Sequence, residues 1–185
     1  MPGLGEKEKM LTGLPYRADD PELVDDRHRC RLVLEEFNRL PKRELEQTEL
    51  GRLFASVGEQ TYAERPFLCD YGYNISIGSR SFINYRATVL DCARVTIGDE
   101  VQIAAAVQLL TAEHPLDPVA RRSGSETARP ITIGDGVWIG GGAIVCPGVT
   151  VGENSVIGAG SVVTRDVGPG VLAVGNPCRE IRRLA

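Results

Sequence analysis

Two histidines and five cysteines are the side chains of this 185-residue chain that could act as a base or a nucleophile near neutral pH. His28 lies in the charged stretch DDRHRCR, where it reads as a solvated face of a helix. His114 opens the segment HPLDPVARRSGSETARP, which is polar and proline-bearing. An alcohol is a poor nucleophile at neutral pH, and an imidazole held beside it can take its proton, so a histidine on a positioned loop is a candidate general base. A plain surface histidine is the competing reading, and what holds the loop decides between them. Cys30, Cys69, Cys92, Cys146 and Cys178 form no C-x-x-C pair and no Cys/His cluster of metal-ligand spacing. Cys146, in VCPGV, suits a turn that needs a small residue, and no G-x-S-x-G elbow offers a serine nucleophile.

The elements that would hold His114 emerge from a repeat. Ile133, Ile139, Val145, Val151, Ile157 and Val163 follow one another at a spacing of six, with small or aliphatic residues two places earlier and Gly134, Gly140, Gly152 and Gly158 just after. An earlier copy holds Ile77, Ile83 and Val89, then a shift of two residues, then Ile97, Ile103 and Leu109. A period of six fits neither the 3.6 of a helix nor the alternation of a hairpin, but it accommodates one short strand and one turn. Three such units close a triangular coil, and stacked coils put Ile133 over Val151, Ile139 over Ile157 and Val145 over Val163. Each inward Ile or Val contributes on the order of 1.5–3 kcal/mol before chain entropy is subtracted. The break between Leu109 and Ile131 then reads as a loop, 111–130, thrown out from a rigid scaffold.

Before the coils, the chain is charge-rich and helical in period, and the texture changes around Ala63 to Pro66. This predicts a helical cap over 1–65 and a solenoid over 66–185. Asp20 and Pro21 offer an N-cap and first turn for a helix carrying Leu23, Val24, Leu32, Val33, Leu34, Phe37 and Leu40, ended by Pro41. A second helix is expected over about Lys42 to Val57, with Leu45, Leu50, Leu53 and Phe54 near one face, and a short one over Lys7 to Leu11. Net charge is −4 with no long basic run, so composition gives no support for nucleic-acid binding and favours a small-molecule partner. The absence of an apolar leader or span, and thiols that read as reduced, set the expectation of a soluble cytoplasmic protein with no membrane partner.

The loop TAEHPLDPVARRSG, the hexads ITIGDGVWIGGGAIVCPGVTVG and the tail GNPCREIRRL together resemble the maltose, galactoside and nodulation-factor O-acetyltransferase group of hexapeptide-repeat acyltransferases. EKMLTGLPYRADDPELVDDR is similar to that group's helical cap, so the resemblance covers nearly the whole chain. It implies a mainly β fold, a left-handed parallel β-helix with an N-terminal α-helical cap, a projecting loop, and a closing turn and short helix over 175–185. Handedness comes from the resemblance alone, since parallel crossovers are right-handed as a rule. It also implies acetyl-CoA as co-substrate with no metal, a small sugar as acceptor, a homotrimer, and His114 as the base in direct transfer. On the acceptor side it points to Asn84 and Asp91, with Phe82 and Tyr85 as apolar faces and Asp19 or Arg27 reaching from the cap. Asn84 as a simple turn residue is the alternative. For acetyl-CoA it points to Ala104, Gly141 and Ala159, to Thr164 and Arg165, and to Arg179, Arg182 and Arg183 for the phosphates. Trp138 fits a cofactor contact or an interface equally well.

Other functions on the same coil fit less well. A γ-type carbonic anhydrase needs three metal-binding histidines, and only His114 lies near the coils. An antibiotic O-acetyltransferase shares the loop histidine but not usually this cap. A non-catalytic scaffold has no use for a histidine at the break.

Overall fold

The computed structural model describes residues 3–39 and 47–184. Three parallel sheets wrap a triangular prism. The first face stacks Val57, Ile77, Ile97, Ile133 and Val151 in register. The second stacks Ala63, Ile83, Ile103, Ile139, Ile157 and Ala173. Cys69, Val89, Leu109, Val145 and Val163 form the third. The pairings read from the hexads, Ile133 with Val151, Ile139 with Ile157 and Val145 with Val163, are all present. These side chains fill the axis and, apart from the half-buried Val57 of the first coil, are almost wholly shielded from solvent. Small residues at the corners let successive coils close up: a Cβ on Gly140 would lie 2.5 Å from the backbone nitrogen of Ala159 one coil away.

The solenoid starts earlier than the change of texture suggests. Strands Ser56–Val57 and Tyr62–Ala63 already belong to the first and second faces. The expected second helix is correspondingly shorter. Its described part is α-helical only over Glu49–Leu53, N-capped by Thr48, whose hydroxyl accepts from Gly51 N–H at 3.0 Å. Leu40, Pro41, Lys42 and Leu45 lie outside the described residues.

The main cap helix runs from Pro21 to Arg39, with Glu22 N–H donating to the Asp20 carboxylate at 3.0 Å as the N-cap reading requires. It lays Cys30, Leu34 and Phe37 on the prism core and buries Leu23 in a second cluster with Met10 and Tyr16, while Val24 and Leu32 stay exposed. Asn38 clamps the backbone of Phe67, donating to its carbonyl at 3.1 Å and accepting from its N–H at 3.0 Å. A shorter helix, Glu6–Leu11, is tied to the main one through Lys7 and Asp26, 2.8 Å apart. Burial alone would raise the Asp26 pKa, but hydrogen bonds from Lys7, Tyr73 and Arg29 hold it below the usual carboxylate range.

The tail departs from expectation. In place of a short helix, Arg179–Arg183 forms a strand antiparallel to Val171–Val174, which closes the second face. The exposed edge of the last coil offers unpaired backbone donors and acceptors, and a returning strand satisfies them.

Candidate active site

Three stacked corners between the third and first faces are longer than a hexad allows. The step from Cys69 to Ile77, like that from Val89 to Ile97, carries two extra residues, and the next, from Leu109 to Ile133, carries the loop. The candidate site lies where these enlargements meet the cap.

The loop is ordered by its own chemistry. Ala112–Glu113 pairs antiparallel with Ser125–Ala128, which pairs in turn with Tyr16–Arg17 of the cap. Between them, a short helix over Pro118–Arg122 is capped by Asp117, which accepts from Val119 and Ala120 N–H at 3.1 and 2.8 Å. Arg121 donates to the carbonyls of Pro115 and Leu116, both at 3.1 Å, and Arg129 binds Glu113 through two contacts of 2.6 and 2.7 Å. His114 therefore projects from a braced loop. Its side chain is 57% exposed, and Nδ1 stands 3.9 Å from Oε1 of Glu126.

A cleft of about 280 Å³ beside it is lined by Ala18, Arg27, Asp70, Tyr71, Cys92 and Glu126. Arg27 donates to the Tyr71 hydroxyl and to the Ala18 carbonyl, each at 2.6 Å, so its guanidinium is fixed at the cleft wall. Burial raises the pKa of Asp70, whose Oδ2 lies 3.6 Å from Cys92 Sγ. Burial also pushes the Cys92 thiol up to about 12, which leaves it a neutral donor and a poor nucleophile.

Asp91 corrects the expectation of an acceptor contact. It is fully buried, and its carboxylate accepts from the N–H groups of Asp70 and Tyr71 at 3.0 and 2.9 Å and of Asn74 at 3.4 Å. Burial pushes its pKa up to about 6 against these hydrogen bonds. Asp91 braces the enlarged corner, and the acid that opens into the cleft is Asp70. Asp91→Ala is expected to lower stability by about 2–4 kcal/mol, because several buried amides lose their acceptor together. Chemical denaturation measures this, and an unchanged midpoint would remove the bracing role.

Asp19 is also placed away from the cleft lining: it is exposed and pairs with Arg17 at 2.9 Å. Asn84 lies on a different corner, between the second and third faces. There Asn84, Ala104, Gly140 and Gly158 stack one above another through hydrogen bonds of 2.7–2.9 Å to the strands below. Gly141 and Ala159 follow in the same turns, with Gly160 N–H donating to the Gly141 carbonyl at 2.9 Å. Asn84 Oδ1 accepts from Tyr85 N–H at 2.7 Å, and Tyr85 is exposed. Phe82, Gln102 and Trp138 run in register down the outer second face, and Trp138 is 52% exposed. Arg179 pairs with Val174 beside this small-residue corner, with Arg182 and Arg183 beyond it. Thr164 and Arg165 instead follow Val163 at the end of the third face, on the same corner column as the loop.

A single chain thus divides the residues singled out from sequence. His114, Arg27, Thr164 and Arg165 belong to one corner, and Asn84, Ala104, Gly141, Ala159 and Arg179 to another, with the third face between. Sequence reading missed Tyr16, Asp70, Tyr71, Cys92 and Glu126. For Cys92 the two-residue shift between Val89 and Ile97 was an available signal, since a corner that breaks a strict repeat has room for side chains other than the repeat's own.

A triangular coil of hexads with a braced histidine loop defines a hexapeptide-repeat transferase. Residues 9–58 match the family pattern described as maltose acetyltransferase hexapeptide capping motif, and 130–165 match that of bacterial transferase hexapeptide, six repeats. Nodulation protein L of Rhizobium meliloti (strain 1021) is 50% identical over 94% of this chain and 96% of its own length. The crystal structure of a maltose O-acetyltransferase from Clostridium difficile 630 superposes with a TM-score of 0.94 at 49% identity, covering 98% of both chains. A galactoside acetyltransferase in complex with coenzyme A gives a TM-score of 0.92 at 40% identity, covering 99% of this chain and 92% of that one. The chain belongs to the maltose and galactoside O-acetyltransferase family and is an acetyltransferase. Among the described residues, no helix is long and apolar enough to cross a membrane.

Proposed function

We propose that this acetyltransferase moves an acetyl group from acetyl-CoA to a hydroxyl of a small sugar, at sites built between neighbouring chains of a homotrimer. The carrying observation is the division of site residues between two corners of one prism. A neighbouring prism set against the first joins the His114 corner of one chain to the Asn84 corner of the next. The solved relative with coenzyme A supports the cosubstrate. The chain's own fit to it lies in the corner of small residues: Gly142 and Gly160 adopt φ of +69°, and a Cβ on either would meet nothing within 4 Å. Such a bare edge leaves main-chain groups open to an extended pantetheine arm, and Arg165, Arg179 and Arg182 are exposed to meet phosphates.

Bound acetyl-CoA supplies the thioester whose acyl carbon accepts the hydroxyl oxygen as the C–S bond breaks. His114 takes the hydroxyl proton during that attack and returns it to the departing thiolate, so the imidazole ends neutral. Asn84 orients the acceptor, and Arg27 and Asp70 offer hydrogen bonds to its remaining hydroxyls. The cleft is polar and of a size for a sugar unit.

CoA release measured across a panel of sugars and hydroxylated antibiotics tests the reading. Turnover with sugars supports it, and turnover with antibiotics alone moves the protein to the xenobiotic class. Asn84→Ala is expected to cost about 1–3 kcal/mol in kcat/KM while acetyl-CoA affinity stays near parental. Calorimetry showing collapse of acetyl-CoA binding would place Asn84 on the wrong side.

A further inference from the structure

We infer that Glu126, held by Tyr16, is a positioning residue that sets the tautomer and orientation of His114. This rests on the reading of His114 as base. The geometry comes from the three-stranded sheet joining cap and loop. Ala112 pairs with Ala128 and Glu113 with Thr127, so the register carried one step further sets His114 opposite Glu126. On the other side Glu126 pairs with Tyr16. Residues directly opposite across antiparallel strands project to the same face, which places Tyr16, Glu126 and His114 in one row.

The side chains follow the backbone. Tyr16 donates its hydroxyl to Glu126 Oε2 at 3.0 Å, and Oε1 faces His114 Nδ1 at 3.9 Å. Tyr16 is 1% exposed, and burial raises its phenol pKa, which keeps the hydroxyl a donor. The other carboxylate on the loop strands, Glu113, is occupied by Arg129. A neutral imidazole has one N–H and one lone pair. A carboxylate at Nδ1 selects the Nδ1–H form, leaves Nε2 free to take a proton, and stabilises the cation that follows. The 3.9 Å gap is one that closure on an acceptor would shorten. The cap then has a catalytic consequence, because its Tyr16 anchors the carboxylate that aims the base.

Glu126→Ala, Glu126→Asp and Tyr16→Phe, each checked for parental oligomeric size and melting temperature, supply the test. For Glu126→Ala kcat should fall on the order of 10–100-fold, part of what a positioned base supplies, with the KM for acetyl-CoA unchanged. Nitrogen-15 imidazole spectra should show His114, assigned by its loss in His114→Ala, losing its Nδ1–H preference. Glu126→Asp should recover part of both, and Tyr16→Phe should fall between parent and Glu126→Ala. In a His114→Ala background, Glu126→Ala should cost nothing more. A Glu126→Ala protein with parental turnover and tautomer overturns the proposal, as does one whose loss persists undiminished without His114. That second outcome makes Glu126 an acceptor ligand and leaves His114 as base, whereas an active His114→Ala removes the base reading itself.

Discussion

His114→Ala should assemble, melt and bind acetyl-CoA as the parent does, yet turn over its best sugar about 10²–10⁴-fold more slowly, the range a positioned general base commonly contributes. The fold should be spared because the imidazole is more than half exposed and the loop is held by other contacts. Those are the Asp117 cap, the Arg121 and Arg129 hydrogen bonds, and the strand pairing to Tyr16–Arg17. Acetyl-CoA binding should survive because the bare corner proposed for the pantetheine arm contains no part of the loop. The loss should therefore appear in kcat rather than in the KM for acetyl-CoA. Stopped assays of CoA release, with binding by calorimetry, separate the two. A folded variant that binds acetyl-CoA and acetylates at near-parental turnover would send the proton elsewhere.

The hexads made the prism legible because each inward Ile or Val is dictated by burial and recurs at a fixed spacing. The registers of Ile133 on Val151 and Ile139 on Ile157 follow directly from that constraint. The start of the solenoid was less legible. Its first coil holds Val57, Ala63 and Cys69 at the inward positions, a set too mixed in size to stand out as a repeat. The tail misled because its helix was expected from the family resemblance of GNPCREIRRL, and its basic residues suit an exposed strand equally well. Only the unpaired edge at Val171–Val174 decides for the strand, and that edge is a tertiary fact.

The site was legible at the long break in the repeat and obscure at the two lengthened corners and on the far strand of the loop. His114 stood out at the long break. Asp91 drew a functional reading because the family resemblance implies an acid on the hexads that face the loop, but its carboxylate is consumed by the backbone amides of the lengthened corner. Asp70, next to the same corner and open to the cleft, carries no mark in sequence that separates it from a turn residue. Glu126 became visible only through pairing across the loop, which no spacing along the chain reveals.

A shared site makes a sharp demand on mixed oligomers. His114→Ala retains Asn84, and Asn84→Ala retains His114, so a mixed trimer contains some contacts at which an intact His114 faces an intact Asn84. With random mixing at equal amounts, about a quarter of the sites are intact on both sides, a consequence of cyclic arrangement alone. Each variant alone has no such site. The decisive measurement is kcat per chain for the two variants unfolded and reassembled together, against the same variants assembled apart and then combined. Reassembly should raise turnover to about a quarter of the parental value, well above the average of the separate variants. Turnover that stays at that average, in oligomers shown by mass to be mixed, would place His114 and Asn84 in separate functions or within one chain, and would contradict the shared site.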